Sequence, residues 1–286
     1  EINELKVALV NLEGGEFHHL GNTSELVSSN VKIQNRVHDQ REIWHKHVKP
    51  HPSIFVLNAD AKINYTDKNQ NIWIENSVVP PSWKLTTNHA LTGIPENNWN
   101  IELEAGNSLD IIELNQHEIV VRNYDFLDSF RGERMSEATL FMGIPLVEWL
   151  EKRNLENAFE LLATNEDIFK TPLFTVIKRK KLNKEFLHWL LHKNPEQNNG
   201  FTELWKNSKR LSCNEISEIT DISIQEQSRK EKQIDNYSAL ASNYQNSVFY
   251  QLDLKKTGTA FLENQLELPK ALNQQNNNWL PLHDLM

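Results

Sequence analysis

The chain is poor in the residues that build several common kinds of site. Cys213 is its one cysteine among 286 residues, so no disulfide can form within it and we expect a reducing, cytoplasmic location. Its nine glycines form neither G-x-G-x-x-G nor G-x-x-x-x-G-K-[ST], so no backbone cradle for phosphates is predicted. H-E-x-x-H and G-x-S-x-G are also absent. We therefore expect Cys213 to be a small buried hydrophobic residue and not a nucleophile.

Positive charge and long apolar runs are scarce as well. The chain has 30 Lys and Arg against 39 Asp and Glu, and its net charge of −9 opposes contact with a phosphate backbone. The longest largely apolar run, residues 138–147, contains Gly143 and Pro145 and is shorter than the roughly 20 residues that span a bilayer. We expect no nucleic-acid partner and no membrane span. Because the chain begins with Glu1 and not with Met, we expect a processed product or a piece of a longer protein.

A spacing of six residues is the most informative pattern that is present. Trp73, Val79, Leu85 and Leu91 follow one another at this interval within a stretch of short strand-like and turn-like segments. Period six is the repeat of a parallel β-helix, in which one inward position recurs after each corner. The pattern predicts such a coil, with Trp73 inside it, and a plain antiparallel sheet is the alternative.

The character of the sequence changes once along the chain. Up to about Tyr124, short apolar runs alternate with turn residues and predict strands at 6–12, 54–57, 72–74, 109–114 and 117–122. One early helix is expected, capped by Thr23 or Ser24. After about Ser136 the apolar period becomes helical. We therefore predict an α+β chain with a hexapeptide-like parallel β-helix followed by an all-α part, divided into regions 1–30, 31–135 and 136–286.

The helical period is clearest in three places after the predicted border. Leu146, Trp149 and Leu150 share one helical face. The same spacing recurs at Leu182, Phe186, Trp189 and Leu190, and again over residues 237–252. Aromatic residues on such stripes are expected to be core residues.

Histidines are enriched in one stretch. They are His38, His45, His47 and His51; His45 and His47 would share one face of a strand and could hold zinc or copper. Apart from Asp39 and Glu42, no acid or thiol at matching spacing completes a ligand set, so we expect loop histidines and no metal. His89 lies in the six-residue repeat. It is either a surface histidine or the general base of a hexapeptide acyltransferase.

One further segment could meet an anion. His18, His19, Gly21, Asn22 and Ser24 lie between a glycine pair and the predicted early helix. Imidazoles beside free N–H groups at a helix N-terminus can bind an anion. A capped helix with nothing bound is the alternative.

Several segments, in order along nearly the whole chain, resemble the fucose-1-phosphate guanylyltransferase (GDP-fucose pyrophosphorylase) family, in particular its bacterial members that also carry an L-fucokinase. The segments are residues 16–25 (EFHHLGNTSE), 71–77 (NIWIENS), 91–99 (LTGIPENNW), 121–126 (VRNYDF), 130–132 (FRG), 141–145 (FMGIP) and 247–254 (SVFYQLDL).

The resemblance implies a parent protein with a nucleotidyltransferase domain, a β-helix, a helical connector and a sugar kinase. That parent would phosphorylate L-fucose with ATP and join fucose 1-phosphate to GTP with Mg²⁺, releasing pyrophosphate. This chain would hold the end of the pyrophosphorylase region, the β-helix and the connector. Its place in that scheme implies a structural role, with oligomer contacts along the β-helix.

The sequence departs from the family pattern where catalysis is concerned. It has neither the glycine-rich, basic nucleotide segment nor the glycine-serine loop of the kinase, so we expect the isolated chain to be inactive and to hold no cofactor. Residues His18, His19, Gly21, Asn22 and Ser24 are the candidates for contact with the sugar nucleotide; catalytic residues cannot be assigned. Arg122 and Arg131 are second candidates for an anion.

Two other functions fit parts of the sequence. One is the acyltransferase with His89 as base, which would require many more six-residue repeats. The other is a carbohydrate-binding β module that uses exposed Trp73, Trp83 or Trp99 as stacking platforms. Burial of Trp73 would favour the family scaffold over this last alternative.

Overall fold

The computed structural model describes residues 13–37, 53–155, 162, 167–220 and 222–242. The helices are α1 (Thr23–Val37), α2 (Leu146–Glu151), α3 (Lys184–Leu191), α4 (Asn199–Asn207), α5 (Cys213–Ile219) and α6 (Ile222–Ser242), with 3₁₀ turns at Ile168–Lys170 and Arg179–Lys181. The strands are β1 (Ile54–Leu57), β2 (Asp60–Ala61), β3 (Gln70–Glu75), β4 (Val78–Val79), β5 (Thr87–Thr92), β6 (Asn107–Glu113), β7 (Glu118–Asp125), β8 (Leu140–Phe141), β9 (Ile144–Pro145), β10 (Phe174–Lys178) and β11 (Arg210–Leu211). The strand predicted at 6–12 lies outside the described residues.

A β-solenoid of about three turns forms the first part of the fold. On one face, β1, β3, β5 and β6 pair in parallel, with Ile54 opposite Ile72 and Leu91 opposite Leu109, 18 residues further along in each case. On the second face β2 pairs in parallel with β4. On the third, Lys84 forms a parallel bridge with Glu102. Each coil therefore consists of three segments of about six residues, as the repeat in the sequence predicted.

The corners of the coils are made by residues with positive φ. Asn58 (φ 48°), Asn76 (φ 49°) and Gly93 (φ 66°) occupy the same corner of successive coils. The Asn58 amide Nδ2 donates to Asn76 Oδ1 at 2.8 Å, so the corner is tied along the solenoid axis. Asparagine and glycine tolerate the left-handed region best, which explains why they recur at the corners.

Alternation along the strands fills the interior. Ile72, Ile74, Leu91 and Leu109 are fully buried and lie on one side of the sheet. Trp73 is only 8% exposed, but it pairs laterally with Phe55 and Ala90 on the opposite side, against which α1 packs. The prediction that the coil itself encloses Trp73 is therefore wrong, although its burial is confirmed. Trp73 pairs with Ala90, 17 residues further along the chain, so this coil is one residue shorter than an 18-residue coil. The missing residue shifts the six-residue repeat by one position and places Trp73 on the other side of the sheet.

The sheet continues past the solenoid in antiparallel fashion. β7 pairs with β6, then β10 pairs with β7 (Thr175 opposite Val121) and β11 with β10, giving a seven-stranded sheet. Residues after the predicted border thus contribute two strands to the same sheet, and the expectation of an all-α C-terminal domain is not confirmed. The division into 1–30, 31–135 and 136–286 stays a prediction.

An aromatic cluster joins the helices to this sheet. Trp149 of α2 contacts Phe141, Trp189 and Trp205, with ring centroids 4.9, 6.4 and 6.2 Å away. The fully buried Arg153 guanidinium lies over the Trp149 ring at 4.1 Å and donates to the carbonyl oxygens of residues 149, 189, 190 and 192. The prediction that Leu146, Trp149 and Leu150 form one buried face is confirmed.

Helix α6 packs against the edge of the solenoid. Lys232 Nζ donates to the carbonyl of Asn76 at 2.6 Å, and Asn58 Nδ2 donates to the carbonyl of Arg229 at 3.0 Å. Of the helix predicted over 237–252, residues up to Ser242 are described and are helical. No helix in the described part of the chain is long and apolar enough to cross a membrane.

Candidate functional site

A cavity of about 1000 Å³ opens where four segments of the chain converge. These segments are residues 20–26 at the start of α1, residues 122–133 at the end of β7 and in the loop that follows, residues 167–169 at the first 3₁₀ turn, and residues 213–217 of α5. Three of the segments that carry the family resemblance (16–25, 121–126 and 130–132) therefore meet in one place. A cleft of this size is within the range of small-ligand sites.

The start of α1 forms one wall and is capped by Asn22. Asn22 Oδ1 accepts from the Glu25 amide at 2.8 Å, and Glu25 Oε2 accepts in return from the Asn22 amide at 3.1 Å. This reciprocal arrangement satisfies two donors that a helix otherwise leaves open. The cap is therefore Asn22, and the expectation that Thr23 or Ser24 caps this helix is wrong.

The predicted binding residues of this segment separate into two groups. Gly21 and Asn22 line the cavity, whereas His18, His19 and Ser24 do not. His19 Nδ1 lies 2.8 Å from Glu25 Oε2, and His18 Nε2 lies 3.4 Å from Glu16 Oε2, so both imidazoles are engaged with carboxylates. Ligand contact by any of these five residues stays a prediction.

Arg122 forms the opposite wall within a buried polar network. Its Nη1 donates to Asp110 Oδ2 at 2.8 Å, while Asp110 Oδ1 also accepts from Thr92 and Tyr124 hydroxyls at 2.8 and 3.2 Å. The guanidinium carbon is 4.7 Å from the Tyr124 ring centre. Burial is the largest effect and would lower the pKa of Arg122, but the Asp110 charge and hydrogen bond, together with Tyr124 and Cys213, outweigh it, so the pKa rises. Arg122 is thus a permanently charged group held rigidly at the cavity wall.

Neighbouring groups of this wall stay protonated at neutral pH. Burial, with the Asp110 charge as a second cause, raises the pKa of the Tyr124 phenol. Burial also raises the pKa of the Cys213 thiol, at the start of α5. Cys213 is 8% exposed, so the expectation of a small buried residue is confirmed. A protonated thiol is a poor nucleophile.

Asp128 is a titratable residue that sequence reasoning missed. Its Oδ2 accepts from the amides of Asp125 and Met142, both at 2.8 Å, and so ties the turn after β7 to the β8–β9 hairpin. Burial is the largest effect on its carboxyl group and raises its pKa to about 7, despite the amide hydrogen bonds. No local sequence pattern distinguishes Asp128, because two of its three amide partners, those of Met142 and Gly143, are distant in sequence.

Both second candidates for an anion line the cavity. Arg131 is an exposed residue of the loop 128–133, next to Phe130, whose φ is +51°. A positive φ at a bulky residue is uncommon and turns this loop sharply at the cavity. Arg122 was recognisable from its place on a predicted strand, and Tyr124 follows two residues later on the same face.

His89 is a structural residue of the solenoid. It is fully buried; its Nδ1 donates to the Asn107 carbonyl at 2.8 Å, and its Nε2 accepts from the Thr86 amide at 2.9 Å. Burial lowers the pKa of His89 to about 4, so the ring is neutral at pH 7. With both nitrogens engaged inside the fold, His89 cannot reach an acyl donor. The expectation of a surface histidine is wrong, and the general-base role is not supported.

Metal ligands and stacking platforms were the other possibilities raised by the sequence. No group of three or more His, Cys, Asp or Glu residues placed to hold a metal occurs among the described residues, and His38, His45, His47 and His51 lie outside them. Trp73 and Trp83 are 8% and 2% exposed. Neither side chain can therefore serve as an open platform for a sugar ring.

Comparison with known proteins identifies a relative along the whole chain. All 286 residues align at 36% identity with an L-fucokinase/L-fucose-1-P guanylyltransferase of Bacteroides fragilis. The resemblance to the fucose-1-phosphate guanylyltransferase family is thereby confirmed. The chain spans 30% of the length of that protein. No protein-family profile matches the chain, and no solved structure matches it.

Proposed function

We propose that this chain is the solenoid module of a bifunctional fucose-salvage protein and acts there as a scaffold. The observation that carries the proposal is the filled interior of the solenoid. Over the coils that the structure describes, the inward side chains are fully buried and pack the axis of the rod: Ile72, Ile74, Val79, Leu91 and Leu109. Such a rod can hold two catalytic modules at a fixed separation. Stacked coils transmit this geometry because each contacts only its neighbours.

The relative supports a proposal for the activity of the parent protein. We propose that the parent phosphorylates L-fucose with ATP and transfers a guanylyl group from GTP to fucose 1-phosphate with Mg²⁺. GTP binding and catalysis would reside outside this chain, which itself would hold no cofactor. We further propose a cytoplasmic location and homo-oligomer contacts along the solenoid. The acyltransferase and the carbohydrate-platform alternatives are less well supported, because His89, Trp73 and Trp83 are buried.

Two assays test the scaffold role. The purified chain is incubated with GTP, Mg²⁺ and fucose 1-phosphate, and pyrophosphate release is measured against the Bacteroides fragilis protein. We expect no turnover above buffer. In the second assay the chain replaces the aligned segment of that protein, and kinase and guanylyltransferase rates are measured for the chimera.

The chimera is expected to keep both activities. A matched chimera carrying Gly93→Ala, which disturbs a solenoid corner, is expected to lose guanylyltransferase and kinase activity together at elevated temperature. Appreciable pyrophosphate release by the isolated chain would refute the scaffold assignment. So would a chimera in which disturbing the solenoid leaves both rates unchanged although melting shows that the module has unfolded.

A further inference from the structure

We propose that the tip of the β8–β9 hairpin is a pH-sensitive latch, which Asp128 holds closed in acid and releases progressively as the pH rises towards neutrality. The tip consists of Met142 and Gly143, the two residues between the strands. Asp128 is also the first residue of the loop 128–133, which lines the cavity. The latch therefore joins the hairpin to the cavity wall, and it requires neither a ligand nor the scaffold role of the solenoid.

Two backbone amides of the hairpin tip are bonded to Asp128. Its Oδ2 accepts from the Met142 amide at 2.8 Å and its Oδ1 from the Gly143 amide at 3.3 Å. Strands β8 and β9 have only two residues each, and a hairpin this short is marginally stable by itself. Met142 also has φ +55°, which is uncommon for a bulky side chain. The bonds to Asp128 are therefore a main support of the closed tip.

A second carboxylate lies against the same tip. A Cβ built on Gly143 would lie 3.0 Å from Asp125 Oδ2, so the Asp125 side chain approaches the hairpin closely. Asp125 and Asp128 are each 8% exposed. Arg122 is already paired with Asp110, and no ion pair in the described part of the chain includes Asp125 or Asp128. Two buried carboxylates without a cation favour the uptake of a proton by one of them.

The closed tip can accommodate a protonated Asp128. Its Oδ2 accepts two short bonds, from the amides of Asp125 and Met142, whereas Oδ1 accepts only the longer bond from Gly143. A neutral carboxyl group keeps one oxygen as an acceptor, so a proton on Oδ1 leaves both short bonds in place. Burial is the largest cause that raises the pKa of Asp128 to about 7, and the Asp125 charge raises it further against the opposing amide bonds.

The sign of the pH dependence follows from the two states of the tip. In the open tip Asp128 meets water, and its pKa returns to the ordinary value of 3.8. The closed tip therefore binds a proton more tightly than the open tip. Closure is most stable in acid, loses stability as the pH rises from about 4 to about 7, and changes little above that range. Between pH 5 and pH 7 the equilibrium constant for opening should rise about fiftyfold.

Several other ionisable groups surround Asp128. Residues 140–145 contain none. The cavity lining contributes Arg122, Tyr124, Arg131, Glu133, Asp167 and Cys213. Burial raises the pKa of the Tyr124 phenol and of the Cys213 thiol, while the pKa of Arg122 is raised by its acidic neighbours. These three groups therefore keep their charge between pH 5 and pH 7. The remaining acids are tested by substitution.

Hydrogen exchange of the full chain, followed by NMR between pH 5 and pH 8, tests the latch. After correction for intrinsic exchange rates, the amides of Met142 and Gly143 should show the rise of about fiftyfold in opening from pH 5 to pH 7. Low concentrations of urea should leave this opening unchanged, because it is local. The amide of Val121, in the centre of the sheet, reports global unfolding. Asp128→Asn keeps an acceptor oxygen but cannot titrate, so it should abolish the pH dependence.

Matched variants and a direct titration complete the test. Glu133→Gln and Asp167→Asn remove the other acids of the cavity and should leave the pH dependence unchanged, whereas Asp125→Asn removes the like charge and should shift it to lower pH. The carboxyl ¹³C resonance of Asp128 in the unchanged chain needs no variant, and its midpoint should lie near pH 7. A midpoint near pH 4 would overturn the proposal. So would equal opening at pH 5 and pH 7, a pH dependence that persists in Asp128→Asn, or tip exchange with the same urea dependence as that of Val121.

Discussion

Replacing Gly93 by alanine should strongly destabilise the solenoid, because two independent costs coincide at this corner. Gly93 has φ +66°, where a side chain costs roughly 1–2 kcal/mol. A Cβ built there would lie 2.2 Å from the carbonyl oxygen of Ile111, a backbone atom of the next coil. Overpacking of this kind costs about 1–3 kcal/mol. We therefore expect a loss of about 2–5 kcal/mol in the free energy of unfolding.

Asparagine at the same position separates the two costs. Gly93→Asn keeps a residue that tolerates positive φ but still adds the Cβ, so it should recover at most about 1 kcal/mol relative to Gly93→Ala. Asn76→Gly is the matched control at the equivalent corner of the preceding coil. It loses one hydrogen bond to Asn58 and should cost less than about 1.5 kcal/mol.

Urea unfolding followed by circular dichroism and tryptophan fluorescence measures these differences. The slope of free energy against urea must stay constant across the variants for the comparison to hold. Surface substitutions usually change the free energy of unfolding by no more than about 0.5 kcal/mol. If Gly93→Ala stays within that range of the unchanged chain, Gly93 does not lie as close to the carbonyl of Ile111 in the next coil as the structure places it.

Three further substitutions test separate parts of the structure. Arg153→Met leaves the carbonyls of Trp189 and His192 without their buried side-chain donor, whereas that of Leu190 still accepts from Asn123. It should cost about 1–3 kcal/mol, against less than about 0.5 for exposed Lys170→Met, by urea unfolding. The pKa of Asp128 is about 7 in the folded state and lower in the unfolded state, so the folded state binds more protons between these values and the free energy of unfolding falls as the pH rises towards 7. Asp128→Asn removes this titration, so its stability should gain about 2–3 kcal/mol relative to the unchanged chain between pH 5 and pH 8. A stability difference between the two proteins that is the same at both pH values would contradict this. Asn22→Ala should lose about 1 kcal/mol, while Ser24→Ala should change little; the reverse order would place the cap elsewhere.

The parts of the fold that the sequence predicted are those with local signals. The strand runs at 54–57, 72–74, 109–114 and 117–122 all fall within or at the edge of observed strands, because alternation and bounding turn residues are local properties. β10 and β11 were not predicted. The pairing of these two strands joins residues far apart in sequence, such as Thr175 and Val121. Apolar residues near β10 and β11 follow the same spacing as those of the neighbouring helices, so the local pattern did not indicate strands.

The candidate site was predicted only in part, for a similar reason. Gly21 and Asn22 could be proposed from helix-start signals, and Arg122 from its charge on a strand. Asp128 could not, because its role depends on the amides of Met142 and Gly143, which the chain brings back through a hairpin. His89 was misjudged because its partners, Thr86 and Asn107, belong to one coil corner and to the next coil.

The six-residue repeat extends further than apolar residues alone reveal. Counting on from Val79, Leu85 and Leu91 leads to Asn97, then to Leu103 and Leu109, both of which are buried. Asn97 occupies the repeat position with a polar side chain whose Nδ2 donates to the carbonyls of Val78 and Pro95, at 2.9 and 2.8 Å. Its Oδ1 accepts from the Trp83 indole and the Trp99 amide, both at 3.2 Å.

Asn97 makes four hydrogen bonds at this corner, and these hold the chain in a turn as a backbone hydrogen bond would. The coil therefore continues through Asn97. A count of apolar residues ends at this position because the side chain there is polar, although its hydrogen bonds preserve the repeat. The repeat in this chain is therefore set by the closing of corners as much as by the filling of the interior.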